Sequence, residues 1–121
     1  MPQFLYRVRP ARPGFLSAPT ADETAIVGEH FRYLEELTRQ AVVLLAGRTL
    51  NEDASTFGIV LFQASSEGDA ALIMRRDPAV RAGVFSAELF PYRIALASPR
   101  LLDLAPPVGA PRAQEDGTLS T

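Results

Sequence analysis

Apolar residues recur with two different periods along this chain. Between residues 21 and 40 they recur every three to four positions, which is the period of an amphipathic helix. Thr20, with Glu23 three residues later, matches a capping box and predicts where this helix begins. The predicted inward face carries Ile26, Val27, Phe31, Tyr33, Leu34 and Leu37, and the outward face carries Glu29, Arg32, Glu35, Glu36 and Arg39.

Four other segments have the pattern of β-strands. In residues 3–9, Phe4, Tyr6 and Val8 occupy every second position, which is the period of a strand. Residues 41–46 and 58–64 are short apolar runs typical of buried strands. Residues 84–96 form a long extended segment in which Pro91 predicts an edge strand, a bulge or two shorter strands. A second helix is predicted from Ser65 or Ser66 to Arg76.

The resulting order of elements is β-α-β-β-α-β. This order predicts an α+β, ferredoxin-like fold in which one four-stranded antiparallel sheet carries both helices on one face. Apart from its C-terminal tail, the chain encodes no cover for the opposite face, so a second copy packed sheet to sheet, a homodimer, is predicted. We expect residues 1–97 to form this domain and the proline-rich residues 98–121 to form a tail outside the core.

Composition excludes several classes of function. A length of 121 residues fits one compact domain. The net charge of −2 comes from scattered charges without a basic stripe, which argues against nucleic-acid binding. The chain has no cysteine, so thiolate nucleophiles and thiolate metal ligands are excluded. No apolar stretch predicts a membrane span, which favours a cytoplasmic protein, and we predict neither a metal nor a cofactor.

His30 is the single histidine, and it falls within the apolar face of the first predicted helix. Imidazole is the side chain whose ordinary titration lies nearest neutral pH, so this position is a candidate for acid/base chemistry. A histidine on an apolar face is also often a hydrogen-bonded core residue. Both interpretations remain open from the residues alone.

Three segments carry a resemblance to a known family. These are EHFRYLEEL at residues 29–37, LAGR at residues 45–48 and RDPAVRAGVF at residues 76–85, and together they resemble the YCII-related (YciI-like) domain family over roughly residues 3–96. The resemblance implies a dimeric α+β barrel made from two ferredoxin-like protomers. It also implies an acid/base dyad of His30 and Asp77 in a pocket near the dimer interface.

A His-Asp pair predicts proton transfer on a small carbonyl compound, of the isomerase or lyase type. Arg7, Arg9 and Arg48, near predicted strand ends, are candidates for binding an anionic group of the substrate. Asp77 has a second interpretation, because Asp followed by Pro suits the N-cap of a short turn that Gly83 closes. The alternative function is a non-catalytic module that binds a small ligand or assembles, with His30 packed in the core.

Overall fold

The computed structural model describes residues 1–105 and Val108. The strands are β1 (Gln3–Pro10), β2 (Val43–Arg48), β3 (Gly58–Gln63) and β4 (Phe85–Tyr92), and the helices are α1 (Ala21–Arg39), α2 (Glu67–Arg76), α3 (Pro78–Arg81) and α4 (Leu101–Leu104). The strands form one sheet in the order β2-β3-β1-β4, with every neighbouring pair antiparallel. The predicted α+β, ferredoxin-like fold is confirmed.

The core lies between one face of the sheet and the helices. In β1 every second side chain is buried, namely Phe4, Tyr6 and Val8, as the twofold period of a strand requires. They pack with Val43 of β2, with Val60 and Phe62 of β3, and with Leu34 and Ala70 of helices α1 and α2. The Tyr6 and Phe62 rings meet edge to face at 5.6 Å between centroids.

Strand β2 begins two residues later than its apolar run predicts. Helix α1 ends at Arg39, and Ala41 has a φ of 61°, so the chain turns through the left-handed region before it can extend. The pairing of β2 with β3 then shifts between Val43 and Leu45, which is a bulge at Leu44. The prediction of a strand over residues 41–46 is therefore wrong at its first two residues, although the strand itself exists.

The second helix follows its sequence signals closely, whereas the last strand ends at Tyr92, short of the predicted extended segment 84–96, because Tyr92 already pairs with Gln3, the first residue of β1. The Ser66 hydroxyl accepts from the Asp69 N–H as the N-cap of α2. Gly83 has a φ of 78°, which glycine adopts without steric cost. Strand β4 is an edge strand, so Pro91 removes no hydrogen bond that the sheet interior needs.

Only part of the predicted C-terminal tail lies among the described residues. Residues 98–105 include helix α4, whose Leu102 and Leu104 side chains are exposed. Most of the predicted tail lies outside the described residues, so the division at residues 97 and 98 stays a prediction. Within residues 1–105, no helix is long and apolar enough to cross a bilayer.

The face of the sheet turned away from the core is partly apolar. The strand register aligns Leu45, Leu61, Leu5 and Phe90 in one row across all four strands. We call these four residues the open-face row. Phe90 is 41% exposed, and Leu5 and Leu45 are partly exposed. Beside the row, Arg7 forms an ion pair with Glu88, its neighbour across β1 and β4.

A salt bridge fastens the loop of residues 11–18 to the start of α1. Arg12 donates from Nε to Glu23 Oε2 at 2.9 Å and from Nη2 to Glu23 Oε1 at 2.7 Å, and also to the carbonyl of Ala18. Glu23 completes the capping box of α1 with Thr20. The Arg12 hydrogen bond, followed by the backbone N–H of Thr20, lowers the pKa of Glu23 to about 2.

We expect Glu23→Gln to lower stability in a way that depends on pH. Glutamine can keep the capping box but carries no charge for Arg12. Because the folded-state pKa of Glu23 is about 2 and its ordinary value is 4.5, its contribution is fully present above about pH 5 and is lost as the pH falls toward 2. Urea unfolding of both proteins, followed by circular dichroism from pH 2 to 7, measures the difference.

Glu29→Gln is the matched control, because Glu29 is an exposed acid of the same helix with no hydrogen bond or ion pair among the described residues. Its effect on unfolding is expected to be small at every pH. A Glu23→Gln difference that stays constant from pH 2 to 7 would contradict the assigned ion pair.

Candidate active site

Asp77 lies at the junction of α2 and α3 and ends one helix while it begins the next. Its backbone N–H donates to the Met74 carbonyl at 3.2 Å, and its carboxylate oxygen Oδ1 accepts from the Ala79 N–H at 3.0 Å. Pro78 occupies the first position of α3, where its missing N–H costs nothing. The capping interpretation of Asp77 is confirmed. The side chain has no exposed surface.

The structure also brings His30 to Asp77. The imidazole Nδ1 lies 2.8 Å from Oδ1 and 2.8 Å from Oδ2, although the two residues are 47 positions apart in the chain. His30 reaches the carboxylate from the inward face of α1, and 14% of its side chain is exposed. Capping and contact with His30 are therefore compatible, because one carboxylate serves both.

Tyr6 is a third partner of the same carboxylate, and no motif in the sequence points to it. Its hydroxyl donates to Asp77 Oδ2 at 2.7 Å from the centre of β1, and its side chain is fully buried. A weaker signal is available in the sequence. A tyrosine at an inward strand position must bury a hydroxyl, and a buried hydroxyl needs a partner.

The pattern of donors fixes the roles in this network. The Tyr6 hydroxyl and the Ala79 N–H both donate to Asp77, so the buried carboxylate acts as the acceptor. The Nδ1 of His30 is then the third donor, which leaves Nε2 as the unprotonated nitrogen of the neutral ring. Among the described residues, no group forms a hydrogen bond with Nε2.

Burial keeps both nearby phenols protonated. Desolvation, and then the negative charge of Asp77, raise the pKa of Tyr6 far above its usual range. The same two causes raise the pKa of Tyr33 to about 12. The Tyr33 hydroxyl donates to the Ile73 carbonyl at 2.6 Å and not to Asp77. Neither phenol therefore loses its proton near neutral pH.

Aromatic rings border the imidazole. The Phe85 ring stands perpendicular to the His30 ring at 5.3 Å between centroids. Phe15, from the 11–18 loop, packs edge to face against Phe85 at 5.8 Å. The Arg12–Glu23 salt bridge thus holds a loop whose Phe15 supports the wall of the candidate site.

The three arginines predicted to bind substrate are not brought to this network. Arg7 and Arg9 project from the opposite face of β1, where Arg7 pairs with Glu88 and Arg9 lies 3.8 Å from the same carboxylate. Arg48 is exposed at the end of β2, and its Nη1 lies 3.4 Å from the Thr49 carbonyl. None of the three contacts His30 or Asp77.

Other candidate sites are weaker in the described part of the chain. A cleft of about 400 Å³ lies between the 11–18 loop and residues 52–56, and neither His30 nor Asp77 lines it. The acids of this cleft, Glu52 and Asp53, belong to no group of three or more potential metal ligands within residues 1–105.

Two solved structures are similar to this chain. The structure of the 5-chloro-2-hydroxyhydroquinone dehydrochlorinase TftG from Burkholderia phenoliruptrix AC1100, in complex with 2,5-dihydroxybenzoquinone, is similar, with a TM-score of 0.55 and 23% identity over 74% of this chain and 93% of that chain. SnoaB, a cofactor-independent oxygenase from Streptomyces nogalater solved as a point mutant, has a TM-score of 0.46 and 13% identity over 80% of this chain and 95% of that chain. A comparison with curated protein sequences gives no match.

The family model of the YCII-related domain matches residues 4–92, which hold all four strands except Gln3, together with Asp77 and the two side chains that contact its carboxylate, His30 and Tyr6. This match, on a ferredoxin-like fold with the strand order β2-β3-β1-β4, shows that the chain belongs to the YCII-related domain family.

Proposed function

We propose that this protein is a small-molecule enzyme in which His30 transfers protons and Asp77 orients it. The observation that carries the proposal is the asymmetry of the imidazole: Nδ1 is held at 2.8 Å by a fully buried carboxylate, while Nε2 has no partner among the described residues. A fixed tautomer with one unoccupied nitrogen is the arrangement that general acid/base catalysis requires.

The reaction type follows from what these groups can do. Nε2 can take a proton from a carbon next to a carbonyl group, and the imidazolium that forms keeps its Nδ1–H directed at Asp77. Returning the proton at another atom completes an isomerisation. Loss of a leaving group from the neighbouring carbon completes an elimination. Since the chain has no cysteine and Tyr6 stays protonated, neither a thiolate nor this phenolate competes as nucleophile.

The second candidate function is a non-catalytic module that binds a small ligand or assembles, with His30 packed in the core. The observation that favours it is the structural role of Asp77, whose carboxylate caps α3 and satisfies a buried tyrosine without any chemistry. A packed histidine of this kind is expected to exchange protons slowly or not at all. Proton exchange at His30 therefore separates the two functions.

The predicted role of Arg7, Arg9 and Arg48 in binding an anionic substrate group stays a prediction. Contacts among the described residues lend it no support, because Arg7 is already paired with Glu88 on the opposite face of the sheet. A cytoplasmic location likewise stays a prediction from the sequence.

A homodimer formed through the open-face row is part of the proposal. The row places four apolar residues side by side across four strands: Leu61 is buried, Leu5 and Leu45 are partly exposed, and Phe90 is 41% exposed. The flanking Arg7 and Glu88 place opposite charges side by side, so a twofold-related copy can meet each charge with its opposite. Apolar area with such a polar border is typical of a face that binds another protein surface.

We expect Asp77→Asn to lower the titration midpoint of the His30 imidazole. Removing the carboxylate charge removes the attraction that favours the imidazolium, so the ring gives up its proton at a lower pH. The ring proton signals of this single histidine, followed by NMR from pH 4 to 9, measure the change. Asp69→Asn makes the same change on the exposed first turn of α2, where no effect on His30 is expected. A His30 ring that does not titrate in the folded wild type would support the packed-core function.

We expect the wild type to accelerate hydrogen exchange in at least one small keto acid. In D2O, abstraction of a proton next to the carbonyl group replaces it with deuterium, which NMR detects without knowledge of the product. His30→Gln is expected to reduce the acceleration by a factor of about 10² to 10⁴, the usual contribution of a general acid/base. Equal rates with His30→Gln would count against the proposed catalysis. Binding of 2,5-dihydroxybenzoquinone, the ligand in the TftG structure, is a useful parallel probe.

We expect Phe90→Glu to weaken the dimer by a factor of at least about 10², because each twofold contact buries two unpaired charges. Leu72→Glu is the matched control: Leu72 is also 41% exposed, but it lies on α2, on the helix side of the sheet. Sedimentation equilibrium of the three proteins gives their association constants. A wild type that is monomeric at every concentration, or a Phe90→Glu protein that associates as well as the wild type, would contradict the interface.

A further inference from the structure

Tyr6 and His30 share one oxygen of the Asp77 carboxylate. The Tyr6 hydroxyl lies 2.7 Å from Oδ2, and His30 Nδ1 lies 2.8 Å from the same atom. The other oxygen, Oδ1, is divided between His30 and the N–H of Ala79. Each carboxylate oxygen therefore has one donor of its own, and the single Nδ1–H of His30 lies within reach of both oxygens, so His30 shares the negative charge of Asp77 with two other donors.

Sharing of this kind changes how strongly Asp77 stabilises a protonated imidazole. A hydroxyl that donates to a carboxylate draws negative charge toward itself, and the bond is strong because its acceptor is charged. The charge that Tyr6 neutralises no longer attracts the imidazolium. Because all three side chains are buried or nearly so, solvent screens these interactions little.

Tyr6 is a permanent donor in this network. Its hydroxyl has Asp77 as its acceptor and lies in the core between β1 and the helices, and the pKa of its phenol is raised well above its usual range by that burial. It therefore holds the carboxylate without exchanging its own proton. A group that never changes protonation can set the proton affinity of its neighbour at all working pH values.

The other charged and titratable groups near Asp77 act from a greater distance. Tyr33, on α1, interacts electrostatically with Asp77 but donates its hydrogen bond to Ile73. Arg76, which precedes Asp77 at the end of α2, acts on Tyr33. In the described part of the chain, the side chains that form hydrogen bonds with Asp77 are Tyr6 and His30.

We propose that Tyr6 is a positioning residue that lowers the proton affinity of His30 by sharing the carboxylate of Asp77. The inference rests on the proposed function for its catalytic meaning, since the readiness of the imidazole to release its proton determines its strength as a general acid. Without Tyr6, the same dyad would hold its proton more tightly and would be a poorer acid.

The test is the titration of the His30 ring in Tyr6→Phe. Phenylalanine keeps the ring in the core and removes only the hydroxyl. The titration midpoint is expected to rise by about half a pH unit or more, opposite in direction to Asp77→Asn. Tyr33→Phe is the matched control, because it deletes a partly buried hydroxyl on α1 that forms no hydrogen bond with Asp77, and its midpoint is expected to equal that of the wild type. A Tyr6→Phe midpoint that is unchanged or lower would overturn the proposal.

A second variant keeps the proposal testable if Tyr6→Phe does not fold. Site-specific replacement of Tyr6 by 3-fluorotyrosine preserves the hydroxyl and makes it a stronger donor. The His30 midpoint is then expected to fall below that of the wild type, and an unchanged or raised midpoint would overturn the proposal.

The titration results for Tyr6→Phe test the role of Tyr6 independently of the proposed function. If Tyr6→Phe raises the midpoint but no keto acid exchanges, the sharing of the carboxylate is supported while the proposed function fails. If Asp77→Asn lowers the midpoint and keto acids exchange, but Tyr6→Phe behaves as the wild type, the dyad stands and the role of Tyr6 is overturned.

Discussion

The burial of the Asp77 carboxylate is the constraint on which the rest of the site depends. A charged group without exposed surface is tolerated only where hydrogen-bond donors surround it, and Asp77 has donors from three parts of the fold. Tyr6 comes from the sheet, His30 from α1 and the Ala79 N–H from α3. The carboxylate therefore fixes α1, the α2–α3 junction and β1 relative to one another, and the same contacts orient the imidazole.

Much of the fold could be predicted because its signals are local. The capping box at Thr20 and Glu23, the cap at Asp77 and the turn at Gly83 each depend on a few neighbouring residues. The start of β2 could not be predicted in this way. Ala41 adopts a positive φ, which alanine seldom does, and an apolar run gives no sign of it.

In the candidate site, too, some residues could be predicted from local sequence signals and others could not. His30 is a candidate because of its place on the apolar face of α1, its pairing with Asp77 is implied by the family motifs, and the capping role of Asp77 follows from its dipeptide with Pro78. Tyr6 could not be assigned in this way, because its partner lies 71 residues away and only the three-dimensional packing identifies it. The position of Arg7 was available from the sequence, however: if Tyr6 points inward, the twofold period of the strand turns Arg7 outward.

Strand β1 contributes side chains to both faces of the sheet. The proposed dimer interface and the proposed active site are therefore connected through this strand. Tyr6 faces Asp77, while Leu5 and Arg7 on either side of it lie on the face of the sheet that is turned away from the core. The side chains of adjacent residues share one backbone, so packing a second copy against Leu5 restricts the movement of Tyr6 as well. The bond between the Tyr6 hydroxyl and Oδ2, at 2.7 Å, tolerates little displacement before it weakens. A contact on one face would thus help to hold the donor that tunes His30 on the other, although no residue of the open face touches the dyad.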